Sequence, residues 1–289
     1  MRKCPAIIVT LSLFSTLASA ADPPLVPTYE ALQRTDVKGA QVILIADFDH
    51  SKASIRDAIA VSLKDFKKSD IAFNCLFLEV DRRVQPALDE FATSKTHNFD
   101  RFVRRQRELT RTTTQGELTK SNQDSVLTEA LLNHSLKNEF RIFAADINFS
   151  SDLGSKVQGA SLLASFLPEE KNTIERVAKY VVDERSKSFA ETIASQFTQG
   201  VCKRAIAIMG AGHFSTTSFG VPVTSLQTYV VNFQIRPLVA AAFSGNCDDM
   251  ANSDAQKKET CRRVSNGESI SALLEGGNIN NPAFALVAK

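Results

Sequence analysis

Ile43-Leu44-Ile45-Ala46-Asp47-Phe48-Asp49-His50 and Ile206-Ala207-Ile208-Met209-Gly210-Ala211-Gly212-His213 follow one plan: a short apolar run, then small or acidic residues, then a histidine. Apolar runs of this length with β-branched content read as strands buried on both faces. In an open α/β sheet, loops leaving the carboxyl ends of parallel strands converge on one crevice. His50 and His213 are therefore expected to meet there, although they lie far apart in the chain. Only four histidines are present, so two of them after strands is a strong pattern.

Working outward, residues 41–46 form the first strand, and the capping-box sequence Ser54-Ile55-Arg56-Asp57 opens a helix over about 54–68. Residues 71–80 form a second strand, with Glu79 near its end. Residues 84–109 are helical and highly charged, 110–122 break the pattern at Gly116, and a helix follows over about 124–137. Residues 140–147 form a third strand, with Asp146 near its end. A helix over 155–167 is stopped by Pro168, and a long helix over 172–197 contains Arg185. Residues 204–209 form a fourth strand, and Thr228–Ile235 reads as a fifth. Alternating strands and helices predict an α/β fold: a mainly parallel sheet flanked by helices on both faces. The expected core is about 40–235, with a helical insertion at about 84–137 and a cysteine-containing tail at about 240–289.

The start of the chain, Met1-Arg2-Lys3, an apolar stretch from Ile7 to Leu17, then Ala18-Ser19-Ala20, has the form of a secretory signal peptide cut after Ala20. That stretch is shorter than the ~20 residues a membrane span requires. Export to the periplasm or the extracellular space is expected, with no transmembrane anchor in the mature chain. Without residues 1–20, basic and acidic residues balance at 32 each. Such a neutral chain is unsuited to nucleic acid, whose binding requires a basic surface to displace counterions. The one basic run, 101–111, reads as a solvated helix face. Of the four mature cysteines, Cys247 and Cys261 flank a polar segment and are expected to form a disulfide bond. A buried thiol suffices to explain Cys75 and Cys202, which lie in or beside apolar strands.

Polar groups thus recur at four strand ends: Asp47 and His50, Glu79, Asp146 and His213. Buried carboxylates and imidazoles are costly unless paired, and convergence at one rim supplies partners. The glycines at 210 and 212 are expected to permit a tight turn that presents His213. Gly210-x-Gly212 follows a late strand and opens no helix, so a dinucleotide loop is set aside. The chain contains no G-x-S-x-G, Walker A or H-E-x-x-H sequence. His97 and His134 sit in polar helical stretches and read as exposed and inert.

Asp47-x-x-His50 after a strand, Glu79 ending the next, Asp183-Glu184-Arg185-Ser186 in a helix and Gly210-Ala211-Gly212-His213 after a later strand together resemble the erythromycin esterase-like, haem-uptake ChaN-like and TraB/Tiki superfamily. The resemblance covers roughly residues 40–235. Ala46 and Asp47 stand where Gly-Glu is usual in that group, and Asp146 matches a strand-end aspartate of the esterase-like members. The resemblance implies a general-base histidine acting on water in esterase-like members, a metal-dependent peptidase in Tiki-type members, or haem binding in ChaN-like members.

The reading favoured on the residues is an exported hydrolase cleaving an ester or peptide bond in a small-molecule or peptide substrate. His50, oriented by Asp47 and made more basic by Glu79, would activate water, and His213 or Arg185 would stabilise the oxyanion, with Asp146 nearby. One divalent metal held by His50, Glu79 and His213 is the expected cofactor if there is one. A haem- or metal-binding uptake protein, and a non-catalytic secreted effector or interaction protein, are the alternatives.

Overall fold

The computed structural model describes residues 24–48, 53–68, 73–111, 127–147, 175–176, 178–218, 220–244, 255–274, 276–280 and 282–288. In chain order the elements are β1 (Leu25–Pro27), α1 (Thr28–Leu32), α2 (Thr35–Gly39), β2 (Val42–Asp47), α3 (Ala53–Lys68), β3 (Cys75–Asp81), a 3-10 turn (Arg82–Val84), α4 (Gln85–Thr93), α5 (Phe99–Arg111), α6 (Glu129–Lys137) and β4 (Arg141–Asp146). There follow a π-helical turn (Lys179–Glu184), α7 (Arg185–Thr198), β5 (Ala205–Gly210), a 3-10 turn (Ala211–Phe214), β6 (Thr217–Ser218), β7 (Val221–Pro222), α8 (Leu226–Asn232), β8 (Pro237–Ser244), α9 (Ala255–Ser265), β9 (Ile270–Leu273) and β10 (Phe284–Ala288).

The main sheet has the order β1-β9-β10-β8-β2-β5-β3-β4. From β10 to β4 every neighbour is parallel, whereas β9 and β1 add antiparallel strands at one edge. The expected mainly parallel α/β architecture is present. Its physical cause is visible along β2, where no residue is polar before Asp47. Ile43 and Ile45 join the core formed with α3 and α6, while Val42, Leu44 and Ala46 join the core formed with α7 and α8. A strand covered by helices on both faces must be apolar at every position, because neither face meets water.

Three expectations are revised. The stretch 228–235 is not a strand: Leu226–Asn232 is helix α8, capped by the Ser225 side chain accepting the Thr228 N–H. Leu226 and Val230, four apart, are buried against the core, so the helical spacing outweighs the β-branched content of the segment. Gln234 then takes a left-handed φ of 60° and turns the chain into β8. Second, the sheet does not end near residue 235. β8 lies directly beside β2, and β9 and β10 continue the sheet outward. Third, Cys75 and Cys202 are not separate thiols but a disulfide. It ties the amino-terminal end of β3 to the loop before β5, at the opposite end of these strands from the polar residues. Cys261 is also disulfide-bonded; its expected partner, Cys247, lies outside the described residues, as does the helix expected over 155–167.

The Cys75–Cys202 bond closes a loop of 127 residues, for which the chain-entropy model gives about 5 kcal/mol of stabilisation. The double variant Cys75→Ser, Cys202→Ser should unfold at markedly lower urea concentration than wild type. Equal midpoints would show that the bond adds nothing to stability.

Candidate functional site

The register of the sheet brings the carboxyl ends of four strands together. Asp47 lies opposite Gly210 across the β2/β5 pair, β5 runs beside β3, and Asp81 lies opposite Asp146 across the β3/β4 pair. The β3/β4 register shifts between Leu78 and Asp81, so that three steps along β3 match two along β4. Glu79 lies within this irregularity. Such bulges occur beside active sites, where they re-aim a side chain.

Glu79 is the centre of the cluster. One of its oxygens accepts the Gly210 backbone N–H at 2.6 Å, and the other accepts Arg185 Nη2 at 2.6 Å. His213 Nε2 stands 3.5 Å from that second oxygen. Arg185 also donates to Asp146 through Nε, at 3.0 and 3.2 Å to its two oxygens, and through Nη2. It thus joins the ends of β3 and β4 from the first turn of α7. On the next residue, the Ser186 hydroxyl lies 3.0 Å from His213 Nδ1. Ser186 is fully buried and His213 is 5% exposed.

The electrostatics follow from burial. Desolvation alone would lower the Arg185 pKa, but Asp146 and Glu79 outweigh it and hold the guanidinium above its ordinary range. Burial pushes the Asp146 carboxyl upward, with Glu79 adding to the rise and Arg185 opposing it. Beside this cluster lies a second buried pair, Asp47 on β2 with Arg56 on α3, each about 1% exposed. Desolvation lowers the Arg56 pKa against the opposing pull of Asp47 and Glu79.

Five of the six residues named from the sequence, Asp47, Glu79, Asp146, Arg185 and His213, are therefore at one rim. The sixth, His50, lies outside the described residues, so its geometry and the His50, Glu79, His213 metal set are not described. Among the described residues no group of three or more His, Cys, Asp or Glu is disposed to hold a metal ion. Neither Gly210 nor Gly212 has a positive φ, and a Cβ at 212 would meet nothing within 4 Å. His213 is presented by a 3-10 turn, not by glycine's conformational freedom. His97 lies not in a helix but at a left-handed position between α4 and α5, with Nδ1 on the Phe91 carbonyl. His134 is on α6, where burial and the nearby Lys137 and Lys64 lower its pKa.

Two residues of the rim were not singled out in the sequence. Arg56 had a signal: it is an arginine on the apolar stripe side of α3, flanked by the buried Ile55 and Ile59. Ser186 had none beyond standing next to Arg185. Asp81, a further acid on β3, is engaged by Arg83, whose Nε is 3.0 Å from each of its oxygens.

In fold, the chain is similar to an erythromycin esterase. With EreC in an open conformation the TM-score is 0.46 at 12% identity, covering 86% of this chain and 90% of that one. The type III effector HopBA1 gives 0.44 at 12% identity over 86% and 88% of the two chains. A Bacillus cereus protein gives 0.44 at 12% identity over 96% of each. No protein-family model matches the chain, and no curated protein matches it. At these identities and TM-scores the likenesses carry no argument about the site, and what it does is argued from its own residues.

Arg56→Ala should destabilise the protein by about 3–5 kcal/mol, because it leaves the Asp47 charge buried without its guanidinium. Asp47→Leu with Arg56→Met, which removes both charges, should cost far less in urea unfolding. If the double variant is no more stable than Arg56→Ala, the charges are not what couples these positions.

A second expectation concerns pH. A carboxyl whose pKa is raised on folding supplies stability below its unfolded value, about 3.9, and that stability is lost as pH rises through the folded value. The stability of wild type relative to Asp146→Asn should therefore decline as pH rises from about 4 toward neutrality. A difference that is flat, or that grows with pH, would contradict the direction assigned to Asp146.

Proposed function

We propose that this chain is an exported hydrolase that cleaves an ester or peptide bond with water activated by His50. The observation that supports it most directly is the Glu79 carboxylate, held by Arg185 and the Gly210 N–H and facing His213, at the rim where β2 ends. His50 follows Asp47 by three residues, and three residues of chain reach at most about 11 Å. In this reading His50 takes a proton from water as the oxygen attacks the substrate carbonyl carbon. The bond to the leaving oxygen or nitrogen then breaks, and His50 returns the proton to it. Negative charge develops on the carbonyl oxygen and is met by the imidazole N–H of His213. Arg185 is occupied by Glu79 and Asp146, so its part is to hold two acids in place.

No metal is needed in this mechanism, and both Glu79 oxygens already accept strong donors. A divalent cation seeks carboxylate oxygens with open lone-pair positions and would have to compete with a guanidinium for this one. His213 Nδ1 is turned to the Ser186 hydroxyl, so an iron could approach only Nε2, past the Glu79 carboxylate. Export is supported by the Cys75–Cys202 disulfide, since such bonds persist in oxidising compartments. Among the described residues no helix is long and apolar enough to cross a membrane.

Wild-type protein should hydrolyse members of a broad panel of aryl esters, lactones and peptides. His50→Ala should lose about 10²–10⁴-fold in kcat, the usual worth of a general base. Equal rates for wild type and His50→Ala on every cleaved substrate, or no cleavage by wild type, would overturn the proposal. Dialysis against chelator should leave the rate unchanged, and its loss with recovery on adding a divalent ion would overturn the metal-free form.

A further inference from the structure

Ser186 touches His213 through Nδ1, and its role follows from where the ring protons lie. Both oxygens of Glu79 accept donors at 2.6 Å, Gly210 N–H on one and Arg185 on the other. A carboxyl with a donor on each oxygen stands here as an acceptor. The His213 nitrogen facing it, Nε2, must then carry hydrogen, since two lone pairs at 3.5 Å would repel. A neutral imidazole has one ring proton. In the neutral ring Nδ1 is then the bare nitrogen, and the Ser186 hydroxyl, 3.0 Å away, donates to it.

We propose that Ser186 is a positioning residue for His213: its hydroxyl holds the ring through Nδ1, so that the Nε2–H stays directed at Glu79 and at the developing oxyanion. Ser186 is fully buried, which excludes it as a nucleophile that touches substrate. A helical serine commonly turns its hydroxyl back to the carbonyl four residues earlier; here the hydroxyl goes to the ring. If His213 gains a proton during turnover, the same hydroxyl rotates and accepts from Nδ1–H, because a hydroxyl is donor and acceptor at once. No aliphatic side chain at this position can satisfy the buried nitrogen in either state. Arg185 and Ser186 are consecutive, so the first turn of α7 sets both the acids and the histidine, and the π-helical turn at Lys179–Glu184 ends immediately before them.

The catalytic part of this inference rests on the hydrolase reading, whereas the ring geometry can be tested apart from it. Long-range proton–nitrogen spectra of the full exported chain, labelled at histidine, are recorded at a pH where His213 is neutral. Wild type should show one signal set for His213, with Nε2 protonated and Nδ1 bare. Ser186→Ala should give averaged or doubled ring signals, and Ser186→Thr should restore one set. On any substrate of the panel, Ser186→Ala should lower kcat by up to about 10²-fold, the cost of a misplaced catalytic group, with KM nearly unchanged. A bare Nε2 in wild type overturns the proposal without any variant, as does Ser186→Ala with wild-type spectrum and kcat. If wild type cleaves no panel member, the hydrolase reading fails while the ring spectra still decide the role of Ser186.

Discussion

Arg185 carries a positive charge into a region largely closed to water, between acids supplied by two different strands. Glu79 and Asp146 could not be brought to adjacent strand ends in a buried rim without it, because two desolvated like charges repel and each lacks hydration. With it, three elements are tied together: β3, β4 and the start of α7. The Gly210 N–H extends the same network to β5, and His213 follows on the turn after that strand. The rest of the site inherits its geometry from this one bridge. A second bridge, between Asp47 and Arg56, fixes the end of β2 to the helix that follows.

Departures from regular structure gather at this rim. β3 shifts register at Glu79, a π-helical turn precedes Arg185, and His213 rides on a 3-10 turn. Bulges and π turns recur at functional sites because each redirects side chains that regular periodicity would send elsewhere. The opposite ends of the strands are regular, and there the Cys75–Cys202 bond joins β3 to the approach of β5. The molecule is stapled at one end and carries its buried charges at the other.

The strand ends were legible because a fully buried parallel strand must be apolar until it leaves the sheet, so the first polar residue marks the rim. Glu79, Asp146 and Asp47 were found on that signal. Thr228–Ile235 misled for a related reason: β-branched and aromatic residues on a short helix, with only Leu226 and Val230 buried, match a strand composition. The partner of Asp47 was harder to see. An arginine inside an amphipathic helix reads as solvent-facing, and only a neighbouring buried carboxylate makes its burial affordable. The Cys75–Cys202 pair left no spacing signal, since 127 residues separate its members.

The amino-acid sequence by itself determined the layer architecture and which residues could stand at the polar rim. Burial on both faces of a strand and one face of a helix imposes periodicities that a linear chain displays directly. The tertiary structure alone decided how those residues pair: Arg185 with two acids, Arg56 with Asp47, Ser186 with His213. Pairing depends on distances across strands and helices remote in the chain, and desolvation gives those distances their energetic weight. No local pattern encodes either.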